Sequence, residues 1–323
     1  MADNILEVRN LKKHFKSKNG TLHAVDDVSF SVKRGETLGL VGESGCGKST
    51  IGRLILGLHQ ATSGEILFNG QDICKMNKAQ IHDLRKDLQI IFQDPFSSLN
   101  PRMSIGEIIG EPLYIHKKIK HRADLEAEVR RLMDVVGLSE RLVNSYPHEL
   151  DGGRRQRVGI ARALSLTPQF IVCDEPVSSL DVSIQAQVLN LLKDLQAEYG
   201  LTYLFITHDL SVVKYFSDKI AVMYLGQLVE IAESDELFKK TIHPYSQALL
   251  SAIPVPNIRQ KMQRVKLVGE LTSPIDPEPG CRFAKRCLYS QAKCVGQDPA
   301  LQDFGNSHFC ACCRADELLH VTV

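Results

Sequence analysis

The chain has 323 residues, which at roughly 150 residues per domain indicates about two domains. Its 39 basic and 38 acidic residues give a net charge of +1, which excludes the strongly basic field of a dedicated nucleic-acid binder. A hydrophobic fraction of 43% argues against disorder, and the sequence contains neither an apolar run of about 18 residues nor a signal-peptide pattern at its start. We therefore expect a soluble globular protein.

Short apolar runs alternate with helical patterns along the first 250 residues or so. Period-2 patterns predict strands at residues 5–8 and 24–32. Four further apolar runs end in glycine or polar residues, at residues 37–41, 88–92, 170–173 and 204–207. A mostly helical stretch at residues 105–136 separates two groups of these runs. The alternation predicts an α/β fold with buried parallel strands and a helical insertion.

A phosphate-binding motif follows the third predicted strand and opens a predicted helix. The segment Gly-Glu-Ser-Gly-Cys-Gly-Lys-Ser-Thr fits G-x-x-x-x-G-K-[ST]. Its glycines allow backbone N–H groups to converge on phosphate oxygens, and the helix N-terminus adds about half a positive charge. Lys48 is expected to reach the β- and γ-phosphates, and the Ser49 hydroxyl to ligate Mg²⁺. The predicted nucleotide-binding residues of this loop are Gly42, Glu43, Ser44, Gly45, Cys46, Gly47, Lys48, Ser49 and Thr50.

Two adjacent carboxylates end the apolar run at residues 170–173. Asp174 is expected to hold Mg²⁺ through water, because hard cations prefer oxygen ligands. Glu175 is expected to orient and activate the water that attacks the γ-phosphate. The plain alternative is a strand end with two solvated acids, but the preceding phosphate loop favours the catalytic interpretation.

In this context the sequence resembles the ATP-binding subunits of ABC transporters over about residues 4–250. Its motifs follow the order of that family. The resemblance implies that Gln93 senses Mg²⁺ and the attacking water, that Asp181 belongs to the D-loop, and that His208 contacts the γ-phosphate. It also implies that Phe15 stacks on adenine, with His14 as the competing choice.

The resemblance also implies the fold and the domain organisation. We expect an ABC ATPase cassette of the P-loop NTPase class at residues 1–252, with a mixed sheet and a RecA-like core. A helical subdomain is expected at about residues 94–165. A proline-rich linker and a small cysteine-rich extension are expected at residues 253–323.

The signature segment departs from the family pattern L-S-G-G-Q at two positions, Asp151 and Arg154. In the family, two ATPase subunits dimerise head to tail, and the signature of one contacts ATP bound by the other, which implies contacts here from Asp151, Gly152 and Gly153. A carboxylate beside a phosphate is unfavourable. One hypothesis is that Asp151 weakens one of two unequal ATP sites in a heterodimer, and the other is that local adjustment accommodates it.

Further segments resemble the oligopeptide, dipeptide and nickel importers within this family. They are the segment at residues 92–101, the motif His243-Pro-Tyr-Ser and the approach to Gly280-Cys-Arg-Phe, and the Gly-Cys-Gly loop favours the F-type ATPase of such importers. The resemblance implies a peripheral ATPase at the cytoplasmic face of the membrane. It implies a second ATPase subunit, two permeases and an extracytoplasmic binding protein as partners, and no nucleic acid. Importers of nickel or another small solute, a soluble ABC ATPase and a metal-binding regulatory module are the alternatives.

Six of the nine cysteines lie in the last 43 residues. Without a secretory signal, this density favours a metal site over disulfides. Four thiolates offer enough ligands for one zinc ion or one iron–sulfur cluster. Cys310 and Cys313 are close enough in sequence to substitute for Cys312 as the fourth ligand. The resemblance favours a [4Fe–4S] cluster, and zinc or reduced, unliganded thiols are the alternatives. The predicted ligands are Cys281, Cys287, Cys294 and Cys312.

Overall fold

A computed structural model describes residues 4–253, 273–296 and 298–318 of the chain. These residues divide into two compact units, called unit 1 and unit 2 below. Unit 1 comprises the described residues of Met1–Cys74 and Thr207–Val323, and unit 2 comprises Lys75–Ile206. The greater part of the predicted linker, including Pro254 and Pro256, lies outside the described residues.

Strands and helices alternate through most of the described chain. In chain order the strands are β1 (Asn4–Ser17), β2 (Gly20–Lys33), β3 (Thr37–Val41), β4 (Ser63–Phe68), β5 (Gln71–Asp72), β6 (Leu88–Ile91), β7 (Phe170–Asp174), β8 (Thr202–Thr207), β9 (Lys219–Tyr224), β10 (Gln227–Glu233), β11 (Gln302–Asp303) and β12 (Phe309–Cys310). The α-helices are α1 (Lys48–Ile55), α2 (Lys78–Leu84), α3 (Pro95–Ser98), α4 (Ile105–Ile115), α5 (Arg122–Val135), α6 (Gly152–Leu164), α7 (Val182–Tyr199), α8 (Leu210–Phe216), α9 (Ser234–Lys239), α10 (Pro244–Ser251) and α11 (Ala315–Leu318).

Unit 1 contains two groups of paired strands. The first is antiparallel and has the order β2-β1-β4-β5. In the second, β11, β12, β10 and β9 pair antiparallel in that order, and β9 then pairs parallel with β3. Both β3 and β9 are almost entirely buried, which is typical of parallel strands covered on two faces. The phosphate-binding motif therefore leaves the end of a buried strand.

Unit 2 contains the parallel strands β6, β7 and β8 up to Ile206, together with helices α2 to α7. The register pairs Leu88 with Phe170 and Phe170 with Thr202, so the three strands run side by side in the order β6-β7-β8. Every residue of β7 is buried. The predicted α/β fold with buried parallel strands is confirmed.

Several elements differ in length from the sequence expectation. Strands β1 and β2 are longer than their period-2 segments, because register shifts interrupt the alternation, one of them beside Asn10, whose φ is 44°. The helical stretch at residues 105–136 is two helices, α4 and α5, and Lys117 between them has a φ of 52°. A residue in the left-handed region cannot continue an α-helix, so the pattern breaks there.

Helix α7 is the longest described helix, and it buries one face through Val188, Leu189, Leu192 and Leu195. The opposite face is polar, as expected for an amphipathic helix at the surface of a globular unit. None of the helices in the described ranges combines the length and the apolar character that crossing a membrane requires.

Candidate functional site

The phosphate loop of unit 1 depends on two glycines that no other residue can replace without displacement. Gly42 and Gly47 have φ values of 154° and 112°. A Cβ atom on Gly42 would lie 2.1 Å from the carbonyl oxygen of Met223, and one on Gly47 would lie 2.1 Å from the carbonyl oxygen of Ala24. Both obstacles are backbone atoms, so the loop can pass between these strands only with glycine at these positions.

Lys48 closes this loop from the first residue of α1. Its side chain is buried, and Nζ donates hydrogen bonds to the carbonyl oxygens of Gly42 at 2.7 Å and Glu43 at 3.0 Å. The ammonium group therefore ties the two ends of the loop together. The first turn of a helix leaves its backbone N–H groups without intrahelical partners, so the loop ends on a site suited to anions.

The remaining loop residues divide into an exposed tip and a buried floor. Ser44 and Gly45 are exposed, while Ser49 and Thr50 are half-buried in the first turn of α1. Cys46 is buried, with Sγ 3.8 Å from Lys48 Nζ, and burial raises the pKa of its thiol. Its side chain is therefore a neutral packing group beneath the loop.

The two candidates for the adenine contact lie side by side on β1, in different surroundings. The Phe15 ring is half-buried, with His59 edge-on at 5.8 Å and Lys13 Nζ 4.7 Å from its centroid. The His14 ring stacks on His23 with centroids 3.8 Å apart, and its Nε2 lies 3.2 Å from Asp26 Oδ1. The imidazole of His14 therefore already contacts two other side chains, His23 and Asp26.

In unit 2, the structure brings together two residues that the sequence analysis chose separately. Gln93, which follows β6, donates from Nε2 to Oε2 of Glu175 at 3.0 Å. Glu175 has a φ of 48°, and its N–H donates to the carbonyl oxygen of Ile206 at 2.9 Å. Asp174 is buried at the end of β7. A non-glycine residue in the left-handed region is uncommon and is often found where a functional side chain needs a fixed direction.

The signature residues form the start of α6. Asp151 is the N-cap, and its Oδ1 accepts the Arg154 N–H at 2.8 Å. Arg154 Nε also lies 3.4 Å from Asp151 Oδ2. A Cβ on Gly153 would lie 2.6 Å from the side chain of Ile184 on α7, and one on Gly152 would lie 3.1 Å from the side chain of Leu180, just before α7. Aspartate is a favoured N-cap residue, and the charge of Asp151 is partly balanced by Arg154.

The last two predicted nucleotide contacts lie at element boundaries. Asp181 is the N-cap of α7 and accepts the N–H of Ile184 at 3.0 Å. His208 is exposed directly after β8, in unit 1. The N-cap role of Asp181 is structural, and the residue is exposed.

Several residues around the phosphate loop were not found by sequence reasoning. Tyr245, from the His243-Pro-Tyr-Ser motif, accepts the N–H of Glu43 on its hydroxyl oxygen at 2.9 Å. Arg286 of the extension pairs with the Glu43 carboxylate through two contacts of 2.7 and 3.2 Å. The family motif around Tyr245 was the only signal for either residue, and it did not indicate a partner.

A second group of charged residues lies beneath the same loop. Asp26 pairs with His23 at 2.9 Å and with Arg282 of the extension. Although burial acts to raise it, the hydrogen bond from His23 and the charge of Arg282 lower the pKa of Asp26 to about 2. With His14, the group offers three ligand atoms within 4.8 Å of one another. Because the Asp26 carboxylate is already paired with the Arg282 guanidinium, we interpret this group as a structural ion pair and not as a metal site.

His243, the first residue of the His243-Pro-Tyr-Ser motif, is buried next to Glu230. The Glu230 carboxylate accepts the N–H groups of Ile242 at 2.7 Å and His243 at 3.2 Å, and His308 Nε2 lies 2.8 Å from it. Burial lowers the pKa of His243 to about 3, so this ring is neutral and its Nδ1 accepts the Tyr245 N–H. His308, four residues before Cys312, therefore pairs with Glu230 inside this buried group.

The four predicted metal-ligating cysteines lie around a small apolar cavity in unit 1. The cavity is lined by Cys281, Cys287, Cys294, Cys312 and Cys313, among others, and its volume is about 10 Å³. This is about the space of one water molecule. Burial raises the pKa of Cys281 to about 12 and that of Cys312 to about 11, so these thiols are neutral at pH 7.

One contact in this group joins Cys294 to Cys313, which the sequence offered as a substitute for Cys312. Cys294 Sγ lies 3.3 Å from Sγ of Cys313 and not against Cys312, whose Sγ accepts the Arg314 N–H at 3.4 Å. Cys310 is fully buried in a small core with Ile242. Among the described residues, no three thiols of the tail lie within 4.8 Å of one another.

Comparison with protein families identifies two matching regions. Residues 25–178 match the family described as "ABC transporter". Residues 229–294 match the family described as "Oligopeptide/dipeptide transporter, C-terminal region". The second match begins within β10 and ends at Cys294, so it includes Glu230 and His243 but not His308.

Relatives of known name are similar along almost the whole chain. "Oligopeptide transport ATP-binding protein OppF" of Haemophilus influenzae is 52% identical over 312 residues, which cover 95% of this chain and 93% of the relative. "Oligopeptide transport ATP-binding protein AppF" of Bacillus subtilis is 50% identical, covering 96% and 97%. The protein named OppF in Salmonella typhimurium is 49% identical, covering 97% of each.

Solved structures of ABC ATPases are similar to the cassette part of the chain. The dimeric, post-hydrolysis structure of the ATP-binding cassette MJ0796, bound to ADP and phosphate, has a TM-score of 0.65 at 28% identity. It covers 71% of this chain and 98% of that protein. The cbiO1 protein of Clostridium perfringens has a TM-score of 0.65 at 30% identity, covering 73% and 91%.

The prediction of an iron–sulfur cluster is wrong. The names of these relatives and families refer to ATP binding and peptide transport, and none of them refers to a cluster. In the structure, the cysteines of the tail instead contact each other and the surrounding side chains, as Cys310 does in its small core with Ile242. Cysteine spacing was a poor guide because compact packing also brings cysteines together.

Proposed function

Because the chain belongs to the ATP-binding subunits of oligopeptide ABC transporters, we propose that it hydrolyses ATP to drive the import of peptides through partner subunits. The proposed partners are a second, different ATPase subunit, two membrane permeases and an extracytoplasmic binding protein that acts through the permeases. The chain then works as a peripheral subunit at the cytoplasmic face of the membrane. The names of its relatives support peptides as the cargo.

The phosphate loop holds the triphosphate in this proposal. The backbone of residues 42–50 surrounds the phosphates, and Lys48 lies at the mouth of the loop on the carbonyls of Gly42 and Glu43. Phe15 stacks on adenine. This choice is supported by the contacts of the His14 ring, which stacks on His23 and lies 3.2 Å from Asp26.

Ser49, Gln93 and Asp174 supply the proposed Mg²⁺ ligands. Their hydroxyl, amide and carboxylate oxygens are the donor types that this ion prefers, and the buried carboxylate of Asp174 ends a rigid strand. When bound, Mg²⁺ neutralises negative charge on the β- and γ-phosphates. The protein's own part is to orient these oxygens.

The hydrogen bond between Gln93 and Glu175 is the observation that carries the catalytic assignment. In the proposal, Glu175 takes a proton from the attacking water, and the Gln93 amide fixes the direction of the carboxylate. The left-handed backbone at Glu175 supports this role, because the strand turns there and presents the side chain away from the core. The reaction is a direct transfer of the phosphoryl group to water.

The last contacts come from residues outside the loop. His208 donates to the γ-phosphate oxygens, and Asp181 orders the segment that meets the second subunit. Asp151, Gly152 and Gly153 contact the ATP held by that subunit. The capping bond and the Arg154 contact of Asp151 favour local adjustment over a weakened site, because both draw the carboxylate toward its own helix.

The test is Glu175→Gln in the assembled transporter. We expect ATP to bind with unchanged affinity, because the shape of the side chain is kept, while phosphate release falls by roughly 10²- to 10⁴-fold through loss of the proton acceptor. Glu198→Gln, at an exposed position on α7, is the matched control and should hydrolyse ATP normally. A Glu175→Gln variant with near wild-type hydrolysis removes Glu175 from the mechanism.

A further inference from the structure

The C-terminal extension reaches the phosphate loop through Arg286. This residue ends a short turn of 3₁₀-helix, Ala284–Arg286. Its Nη1 lies 2.7 Å from Glu43 Oε2, and its Nη2 lies 3.2 Å from Oε1, which is a two-pronged guanidinium–carboxylate pair. The Arg286 side chain is only 9% exposed and that of Glu43 is 26% exposed. The pair is therefore partly shielded from solvent. Charge interactions are stronger in such a place than at the exposed surface.

Glu43 is held at three different atoms by three different elements. Its N–H donates to the hydroxyl of Tyr245, and its carbonyl oxygen accepts from Lys48 Nζ. Its carboxylate pairs with Arg286. The first variable position of the phosphate loop is thus the point at which α1, α10 and the extension meet within unit 1.

The charge of Glu43 needs an explanation. A carboxylate inside a loop that binds a triphosphate adds a negative charge where the ligand brings several more, and like charges repel. Arg286 cancels this charge from a position 243 residues along the chain. The Arg286 Nη1 also lies 3.4 Å from the Tyr224 hydroxyl, which holds the guanidinium in place.

A second arginine anchors the same part of the extension. Arg282, four residues earlier, donates to the Leu225 carbonyl and pairs with Asp26 on β2. The two arginines therefore attach the extension at two points, Asp26 on β2 and Glu43 in the loop. The contacts of Arg282 hold this part of the extension in place without help from Glu43.

We propose that Arg286 is a positioning residue of the ATP site, through which the C-terminal extension neutralises Glu43 and keeps the phosphate loop able to bind ATP. The inference rests on the proposed phosphate site at residues 42–50. It assigns to the extension a part in nucleotide binding, in place of the metal-binding part that its cysteines had indicated. The extension in this proposal acts through charge and geometry, not through contact with ATP.

The experiment measures equilibrium binding of Mg-ATP to the full-length chain. Arg286→Gln should raise the Kd roughly tenfold at low ionic strength, because it leaves the Glu43 carboxylate unpaired beside the phosphates. The penalty should shrink to roughly threefold at 0.5 M salt, since screening weakens the repulsion. Adding Glu43→Gln to Arg286→Gln should restore most of the affinity, because the repelling charge is then gone.

The control is Lys285→Gln, which removes one positive charge from the same turn. Lys285 is largely exposed and pairs with Glu278 at 3.5 Å. The Kd of the Lys285→Gln variant for Mg-ATP should therefore stay within about twofold of wild type. If Arg286→Gln alone does not fold, the double variant Glu43→Gln/Arg286→Gln provides the test, and it should bind ATP nearly as wild type does. Thermal unfolding of each variant separates loss of fold from loss of binding.

Three results would overturn the proposal: an unchanged Kd in Arg286→Gln, a penalty that salt does not reduce, or no rescue by Glu43→Gln. Lys48→Ala, measured alongside, separates this from failure of the proposed phosphate site. If Lys48→Ala binds ATP normally, the phosphate site itself is misplaced. If only Lys48→Ala loses ATP, the phosphate site stands and the role of Arg286 is rejected.

Discussion

The phosphate loop and the C-terminal extension both belong to unit 1, but they are held in place by different kinds of interaction. The loop is shaped by its own backbone: the positive φ angles of Gly42 and Gly47, and the bonds from Lys48 to loop carbonyls. The extension is held by side chains that pair with residues far away in the sequence, such as Arg286 with Glu43. Local constraints leave a recognisable motif, whereas distant pairs do not.

The difference has a consequence for substitutions. In the loop, we expect substitutions to reduce stability most at the glycines that have no room for a side chain. In the extension, the residues that matter are those whose charge or hydrogen bonds satisfy a buried partner, and the cysteines matter as packing groups. The following predictions test this division, from the largest expected effect to the smallest.

Glu230→Ala should destabilise unit 1 by about 3 kcal/mol or more, because it removes the acceptor of two buried backbone N–H groups and the partner of His308. Chemical denaturation of the full-length chain measures the loss. Glu233→Ala, at the exposed end of β10, is the matched control and should change the free energy of unfolding by less than about 0.5 kcal/mol. Equal effects of the two substitutions would show that the Glu230 network does not anchor the extension.

Gly47→Ala should cost about 2–4 kcal/mol and reduce ATP binding strongly, because its Cβ meets the Ala24 carbonyl in a left-handed backbone conformation. Gly45→Ala is the control, since Gly45 also has a positive φ of 78° but nothing lies within 4 Å of its Cβ. That variant should lose only about 1 kcal/mol. Denaturation and ATP titration of both variants decide whether close approach, and not φ alone, shapes the loop.

Cys310→Ser should cost about 1–2 kcal/mol, because it places a hydroxyl in the small buried core beside Ile242. Cys312→Ser, at a more exposed position, should cost less than about 0.5 kcal/mol. The order of these two effects is the informative result. A metal site would reverse it, since Cys312 was the predicted ligand, and unfolding experiments on the two variants distinguish the alternatives.

Asp151→Ser should change the turnover of the assembled transporter by less than about twofold. Serine keeps the N-cap bond to the Arg154 N–H, and an exposed ion pair such as Asp151–Arg154 contributes little. ATP hydrolysis in the transporter provides the measurement. A severalfold increase in turnover would instead support the hypothesis that Asp151 weakens one of two unequal sites.

The outcome of the sequence analysis differs between the two regions for the same reason. The phosphate loop and the strand ending at Asp174 follow from local patterns, since a few neighbouring residues determine the backbone there. The long strand β1 was underestimated, because its bulge beside Asn10 interrupts the alternation on which the prediction relied. The cysteine tail was misinterpreted, because spacing does not distinguish ligands from packed thiols.

The α/β fold and the phosphate loop could be predicted from the sequence alone, because the alternation of apolar runs and the steric limits on glycine act over short distances. The family was indicated by the resemblance of its motifs. The tertiary structure alone decided which distant groups meet. It brought Gln93 to Glu175, Arg286 to Glu43 and His308 to Glu230, each across more than 75 residues of chain. Such pairs depend on how the strands and the extension fold together, and no local pattern specifies the partner of a charged side chain.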